Sequence, residues 1–252
     1  MCSRRSITRR NLLRCAGAAS VPLLSGCDLP VDLVSDETVE AMGLQAWEEI
    51  RSSSPVARDP DHQAALDRVS ARLLAAAGEV PSDWEVLVFA RPEINAFALP
   101  GRKIGVFEGM FRVIGNPDQL AAVVGHEIGH VQAEHGQERM NAQLSADWGL
   151  TALAYLLSLG GVEYAGEIAA ALGVGVEYGL VLPYSRRQEL EADRLGLLTM
   201  ADAGFAPDEA VELWRRMEIV SGSRAPEFLA THPAPASRIE AMEAMLPEIR
   251  RG

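Results

Sequence analysis

The sequence predicts an α+β domain, mostly helical, with a small and mostly antiparallel sheet set beside one central helix. Three observations predict it. Several segments carry apolar residues at helical spacing, bounded by N-cap residues and by glycine or proline. Three short β-prone runs lie close together between residues 84 and 107, separated by turn signals. Residues 116–130 then combine a full helix-start signature with a tight group of chemically active side chains.

The chain opens on a different kind of segment. Arg4, Arg5, Arg9, Arg10 and Arg14, with no acid among them, precede a mildly apolar run from Cys15 to Leu24, the two regions of an export signal. Thr8-Arg9-Arg10-Asn11-Leu12-Leu13-Arg14 is twin-arginine-like. Leu24-Ser25-Gly26-Cys27 has the form of a bacterial lipobox, which would make the lipidated Cys27 the mature N-terminus. The expected organisation is an export signal over 1–26, a lipid-anchored N-terminus, tether and first helix over 27–58, and the main domain over 59–252.

Removing the signal's five arginines takes the formal net charge from −12 to −17. Such a surface repels nucleic acid and anionic headgroups, so no nucleic acid is expected as a partner and acyl chains on Cys27 would have to supply membrane attachment. Of the three cysteines, Cys2 and Cys15 leave with the signal and Cys27 takes lipid, which excludes disulfides and cysteine catalysis from the mature body.

Along that body, Val39 to Arg51 is amphipathic and stops at Ser52-Ser53-Ser54-Pro55. Asp59-Pro60-Asp61 opens a longer helix with Leu66, Val69, Leu73 and Leu74 on one side, ending near Gly78. Both read as packing helices. Trp84 to Phe89, Ile94 to Leu99 and Ile104 to Phe107 read as strands, with Pro100-Gly101-Arg102-Lys103 as the turn between the last two. Pro92 and Pro100 bracket the middle run, which marks it as an edge strand. An edge can accept an extended peptide by strand addition, or it can be a protected edge that binds nothing. Asn116-Pro117-Asp118-Gln119 supplies an N-cap, a proline at N1, an acid in the first turn and a glutamine at N3. Leu120, Val123, Val124 and Ile128 give the helix that follows an apolar side. Further on, Trp148 to Val162 is an uncharged run of 15 residues, short of the roughly 18–20 that a membrane span needs, and it reads as helices over the core or along a cleft.

The central helix carries His126-Glu127-Ile128-Gly129-His130. Residues four apart share a helical face, so the two imidazoles can hold one metal ion while Glu127 points to where a water on that metal would sit. By composition alone the pattern arises by accident roughly once in a hundred such chains, so it needs support. Support comes after 58 intervening residues, where Glu189 and Asp193 are again four apart in Glu189-Leu190-Glu191-Ala192-Asp193. A catalytic zinc takes three protein ligands and keeps one position open. Glu189 supplies the third, and Asp193, one turn on, could accept the second N–H of a ligand histidine. His135 misses the spacing of a known third-histidine motif by one residue and stays outside the ligand set.

Four stretches together resemble the zinc metallopeptidase family of the CAAX prenyl protease, HtpX, BepA and LoiP: Asn95-Ala96-Phe97-Ala98-Leu99-Pro100-Gly101, His126 to His130, Glu189 to Asp193, and Thr231-His232-Pro233 with Arg238 six residues after the histidine. The resemblance spans residues 60–246 and is nearest in layout to the small lipoprotein peptidases. It implies a glutamate-type zincin (a gluzincin) with one Zn2+ per chain on His126, His130 and Glu189, and with Glu127 as general base. Asn95, Ala96 and Phe97 would hold an extended protein or peptide substrate beside the metal. Arg238 and Tyr184 are candidate oxyanion donors. His232 would either occupy the metal's open position as an autoinhibitory switch or assist the transition state from the same place. The activity implied is a metalloendopeptidase of the bacterial cell envelope, facing the periplasm or the exterior and acting on misfolded or unassembled proteins. A catalytically silent zinc-containing chaperone and a membrane-tethered binding module are the alternatives.

Overall fold

The computed structural model describes residues 35–139, 141, 184–221, 228, 229, 232 and 236–250. The signal, Cys27 and the uncharged run 148–162 lie outside the described residues. Among the described residues the main elements follow in order: α1 (Asp36–Ser53), α2 (Pro60–Ala76), β1 (Glu85–Phe89), β2 (Ala96–Leu99), β3 (Lys103–Phe107), α3 (Pro117–Gln132), α4 (Arg186–Asp202), α5 (Asp208–Ser221) and α6 (Ala236–Ile249). None of the described helices is long and apolar enough to cross a membrane.

Helix starts follow local chemistry. Ser35 Oγ accepts from Thr38 N–H, Asp59 caps α2 with Pro60 behind it, and Asn116 accepts from Gln119 N–H at the start of α3. Ser185 and Gln188 form a reciprocal capping box at α4. Helix α5 was not marked by any sequence motif, although Val211, Leu213, Trp214 and Met217 bury one side of it. The expectation of one apolar side on α3 is exceeded, because every residue from Gln119 to His130 is buried. Such a helix has no solvent face and runs through the middle of the protein. The core around it gathers Leu66, Leu73, Val88, Ile104, Met110, Val124, Ile128 and Leu197.

The sheet is mixed, in the order β1-β3-β2. The turn at 100–103 makes β2 and β3 antiparallel, with Phe97 opposite Gly105, but β1 runs parallel to β3, with Leu87 opposite Gly105. Its two edges are treated differently. The outer edge of β1 is occupied, since Ala57 N–H donates to Val88 O and Ala90 N–H to Pro55 O, both at 2.8 Å. The Gln63 side-chain amide continues that cover toward the strand's start, donating to Val86 O and accepting from Val88 N–H at 2.9 Å each. That leaves β2 as the edge beside α3, in line with its bracketing prolines.

Candidate metal centre

Two glycines bring the chemical groups together. A Cβ on Gly129 would stand 2.7 Å from Ala192 O, and one on Gly196 would stand 3.0 Å from the Gly125 carbonyl. Helices α3 and α4 therefore touch backbone to backbone, and Glu189 on α4 faces the two histidines of α3. Such close contact is available only to glycine at those positions.

The result is a buried group of four donors. Ligand atoms of His126, His130, Glu189 and His232 all lie within 4.8 Å of one another. His126 Nε2 is 3.1 Å from His130 Nε2 and 3.3 Å from His232 Nδ1. Glu189 Oε1 lies 3.1 Å from His232 Nδ1 and 3.4 Å from His130 Nε2. Burial, reinforced by the neighbouring histidines, holds the His126 imidazole well below its usual range. Burial likewise lowers His130 to about 4. Burial pushes Glu189 up, but hydrogen bonds with His130 and His232 and the charge of Arg238 outweigh it and leave the carboxyl well below the usual range. Neutral imidazole nitrogens beside an ionised carboxylate are the donor set a zinc-like cation requires, and a convergence of lone pairs this close needs a cation or protons between them. The residues present fit a metal.

Each donor is held from behind. His126 Nδ1 is 3.0 Å from Asp193 Oδ1. His130 Nδ1 is 2.9 Å from His135 Nδ1, and His135, fully buried, has its Nε2 3.5 Å from Glu191 Oε2. His135, outside the spacing of a ligand, thus stands behind a ligand histidine instead. Tyr184 stacks on His130 with ring centroids 3.8 Å apart. Arg238, expected as an oxyanion donor, is buried and engaged elsewhere: Nε and an Nη bond Asp193 at 2.8 and 2.6 Å, another Nη contacts Glu189, and the guanidinium lies 4.2 Å over the Trp214 ring.

Glu127 sits apart from this set. Its Oε2 accepts from Ala98 N–H of β2 at 3.0 Å. Its Oε1 is buried without a hydrogen-bond partner among the described residues, with His232 Nε2 3.5 Å away. Burial pushes its carboxyl up to about 7, against the pull of His232. The same buried setting thus holds one glutamate ionised and poises the other to exchange a proton near neutrality. On β2, Asn95 Oδ1 accepts from Ala96 N–H at 2.9 Å. Ala96 and Phe97 therefore lie on the strand whose next residue touches Glu127, and Asn95 directly precedes it.

Comparison with known proteins places the site within a known family. The profile of peptidase family M48 matches residues 60–246. The mitochondrial metalloendopeptidase OMA1 of Schizosaccharomyces pombe is 37% identical over 185 residues, covering 73% of this chain and 52% of that protein. The β-barrel assembly-enhancing protease of Escherichia coli K12 is 31% identical over 207 residues, covering 79% of this chain and 42% of that protein. OMA1 of Arabidopsis thaliana is 35% identical over 155 residues, 62% of this chain and 30% of its own. The chain thus spans about half, or less, of the length of these relatives.

Proposed function

The chain belongs to peptidase family M48, and from that premise we propose that it is a zinc-dependent metalloendopeptidase of the bacterial cell envelope. The observation that carries this reading is the junction of two histidines, one ionised glutamate and a second glutamate poised near pH 7 against an edge strand.

One zinc per chain would be held by His126 and His130 through Nε2 and by Glu189 through its carboxylate. When bound there, zinc acts as a Lewis acid, polarising a carbonyl and lowering the pKa of a water toward about 7. Glu127 takes the proton of the attacking water and returns it to the leaving amine. In the peptide-free site Ala98 N–H holds Glu127 through Oε2, and Oε1 has no hydrogen-bond partner among the described residues. Asp193 and His135 each accept the Nδ1–H of a ligand histidine, which fixes the tautomer that presents Nε2 forward. Arg238 neutralises the Asp193–Glu189 pair and so positions both. An extended peptide adds to β2, using its Asn95–Phe97 stretch.

His232 supports a second reading of the same centre. Its Nδ1 lies within the ligand group, giving four donors, and four protein ligands are the mark of a closed site. We read this as a resting state in which His232 inhibits and must withdraw for turnover. A silent chaperone with structural zinc is the alternative. The signal-like pattern of residues 1–26, the lipobox-like Leu24-Ser25-Gly26-Cys27 and the similarity to a protease named for β-barrel assembly support the proposal of an anchored protein that degrades misfolded or unassembled envelope proteins.

Casein hydrolysis by the mature protein tests the activity. It should vanish with a chelator, return with zinc and be absent from Glu127→Gln. Hydrolysis that persists at full chelation would overturn the metal mechanism, and zinc-loaded protein that never cleaves would favour the chaperone. Cells expressing Glu127→Gln should accumulate the substrate among their envelope proteins.

A further inference from the structure

We propose that the N-terminal helix α1 completes a selectivity pocket for one aliphatic side chain of the substrate, next to the scissile bond. This deepens, and rests on, the peptidase reading above. Helix α1 lies before residue 60, outside the stretch that the family profile matches.

A cavity of about 120 Å3 opens beside the metal centre. It reaches the site through Ala98 of β2 and through His130; Val39, Pro100, Val131 and Tyr184 form part of its wall, with Glu134, Gly136 and Gln137 completing the lining. Its position follows from how α1 is docked. The helix crosses the end of β2 so closely that a Cβ on Gly43 would stand 2.2 Å from Pro100 O. One turn before Gly43, Val39 is buried. At the helix start Asp36 accepts from Gln137 Nε2 at 2.9 Å, and further along the Trp47 indole donates to Glu85 at 2.9 Å and packs edge-on against Phe89. Contacts at start, middle and end make the Val39 wall a fixed one.

The occupant follows from strand geometry. A peptide added to the outer edge of β2 presents alternate side chains to the same face, and main-chain pairing leaves selectivity to the pockets those side chains meet. The cavity touches both the strand residue bonded to Glu127 and a donor of the metal group, so it takes a side chain within one or two residues of the bond being cut. Its walls are mostly apolar. An apolar cavity of about 150 Å3 admits benzene. A smaller pocket favours Val, Leu or Met over Phe, Tyr and Trp, and Glu134 at its lining disfavours acids.

Two substitutions act on opposite walls with opposite signs. Among the described residues a Cβ on Gly136 would meet nothing closer than Pro100 Cγ, at an ordinary 3.7 Å, so Gly136→Leu is accommodated by the backbone there and fills the cavity. Val39→Ala enlarges it. The experiment is cleavage of a peptide library by the zinc-loaded full-length protein and both variants, with cut sites mapped by mass spectrometry. The wild type should show a preference for Val, Leu or Met at one position flanking the cut. Gly136→Leu should lower the ratio of kcat/KM for a Leu peptide over its Ala analogue at least tenfold, since one methylene in such a pocket is worth roughly 10–200-fold. Val39→Ala should admit Phe at that position. Cleavage with no aliphatic preference, or an unchanged Leu/Ala ratio in Gly136→Leu, would overturn the pocket while leaving the peptidase reading intact. No cleavage of any library member by the zinc-loaded wild type would overturn the peptidase reading, and the pocket with it.

Discussion

Arg238→Met is the sharpest test of how the centre is held. Arg238 and Asp193 are each only a few per cent exposed, and their two bonds at 2.8 and 2.6 Å form a two-pronged pair. Methionine keeps apolar contact with Trp214 but leaves the Asp193 carboxylate buried without its cation, and Glu189 loses the same neighbour. Removing one partner of a buried pair costs about 3–5 kcal/mol. For a domain of this size about 1 kcal/mol moves Tm by about 2–4 °C, so zinc-loaded Arg238→Met should melt roughly 6–20 °C below wild type. Adding Asp193→Asn removes the orphaned charge yet keeps a side-chain oxygen facing His126 Nδ1, and should recover at least half of the loss. Arg238→Lys restores the charge without the planar fork and should fall between. Circular dichroism melts at fixed zinc read all three. A drop under about 3 °C for Arg238→Met, or a double variant no better than the single one, would refute the charge argument.

Other outcomes follow from the same geometry. Glu127→Gln keeps an oxygen for Ala98 N–H, so it should retain fold and zinc while kcat falls by at least about 100-fold; near-normal turnover would place the base elsewhere. His135→Leu removes the acceptor behind His130 and should weaken zinc binding roughly 10–100-fold in a competitive chelator titration, with partial rescue by His135→Asn; equal affinity in the Leu variant would deny His135 its positioning role. Glu189→Ala should hold well under one zinc per chain by elemental analysis, and full occupancy would remove it from the ligand set. His232→Ala should raise the peptide-cleavage rate at equal zinc occupancy if the resting state is inhibited, and a slower variant would make His232 a transition-state group instead.

Where local chemistry decides the structure, the sequence already carried it. Asn116 and Gln119 announce α3, Ser185 and Gln188 sit where α4 begins, and Pro92 with Pro100 marks β2 as an edge. The same holds for the centre, because spacing of four on a helix places His126 beside His130 and Glu189 beside Asp193 before any packing is known. What escaped depends on contacts between distant segments. The parallel pairing of β1 with β3 has no turn to announce it, unlike the antiparallel pair joined at 100–103. Helix α5 carries its core residues without a motif. His135 was weighed only as a ligand, and its part behind His130 becomes visible when a fully buried imidazole stands 2.9 Å from another. The engagement of Arg238 with two carboxylates is likewise a fact of packing, since spacing from His232 says nothing about where a guanidinium finds its partners.

The two sheet edges explain why β2, of the three strands, borders the chemistry. On β1 the outward groups are satisfied by backbone from residues 55–57 and by the Gln63 amide, so that edge is closed by parts of the chain that hold the fold. Antiparallel strands alternate bonded and non-bonded pairs, and Phe107 N–H donates to Asn95 O, so Ala96 and Ala98 direct their backbone groups away from β3. Among the described residues those outward N–H groups are met by Asn95 Oδ1 and Glu127 Oε2. Both are ends of side chains, free to turn at far lower cost than a backbone segment. A carbonyl of an incoming peptide can take over Ala98 N–H without undoing any secondary structure, and in doing so it frees a carboxylate poised near pH 7. Closing β1 with backbone and β2 with side chains therefore makes one edge structural and leaves the other exchangeable, at the residue where exchange releases the proposed base.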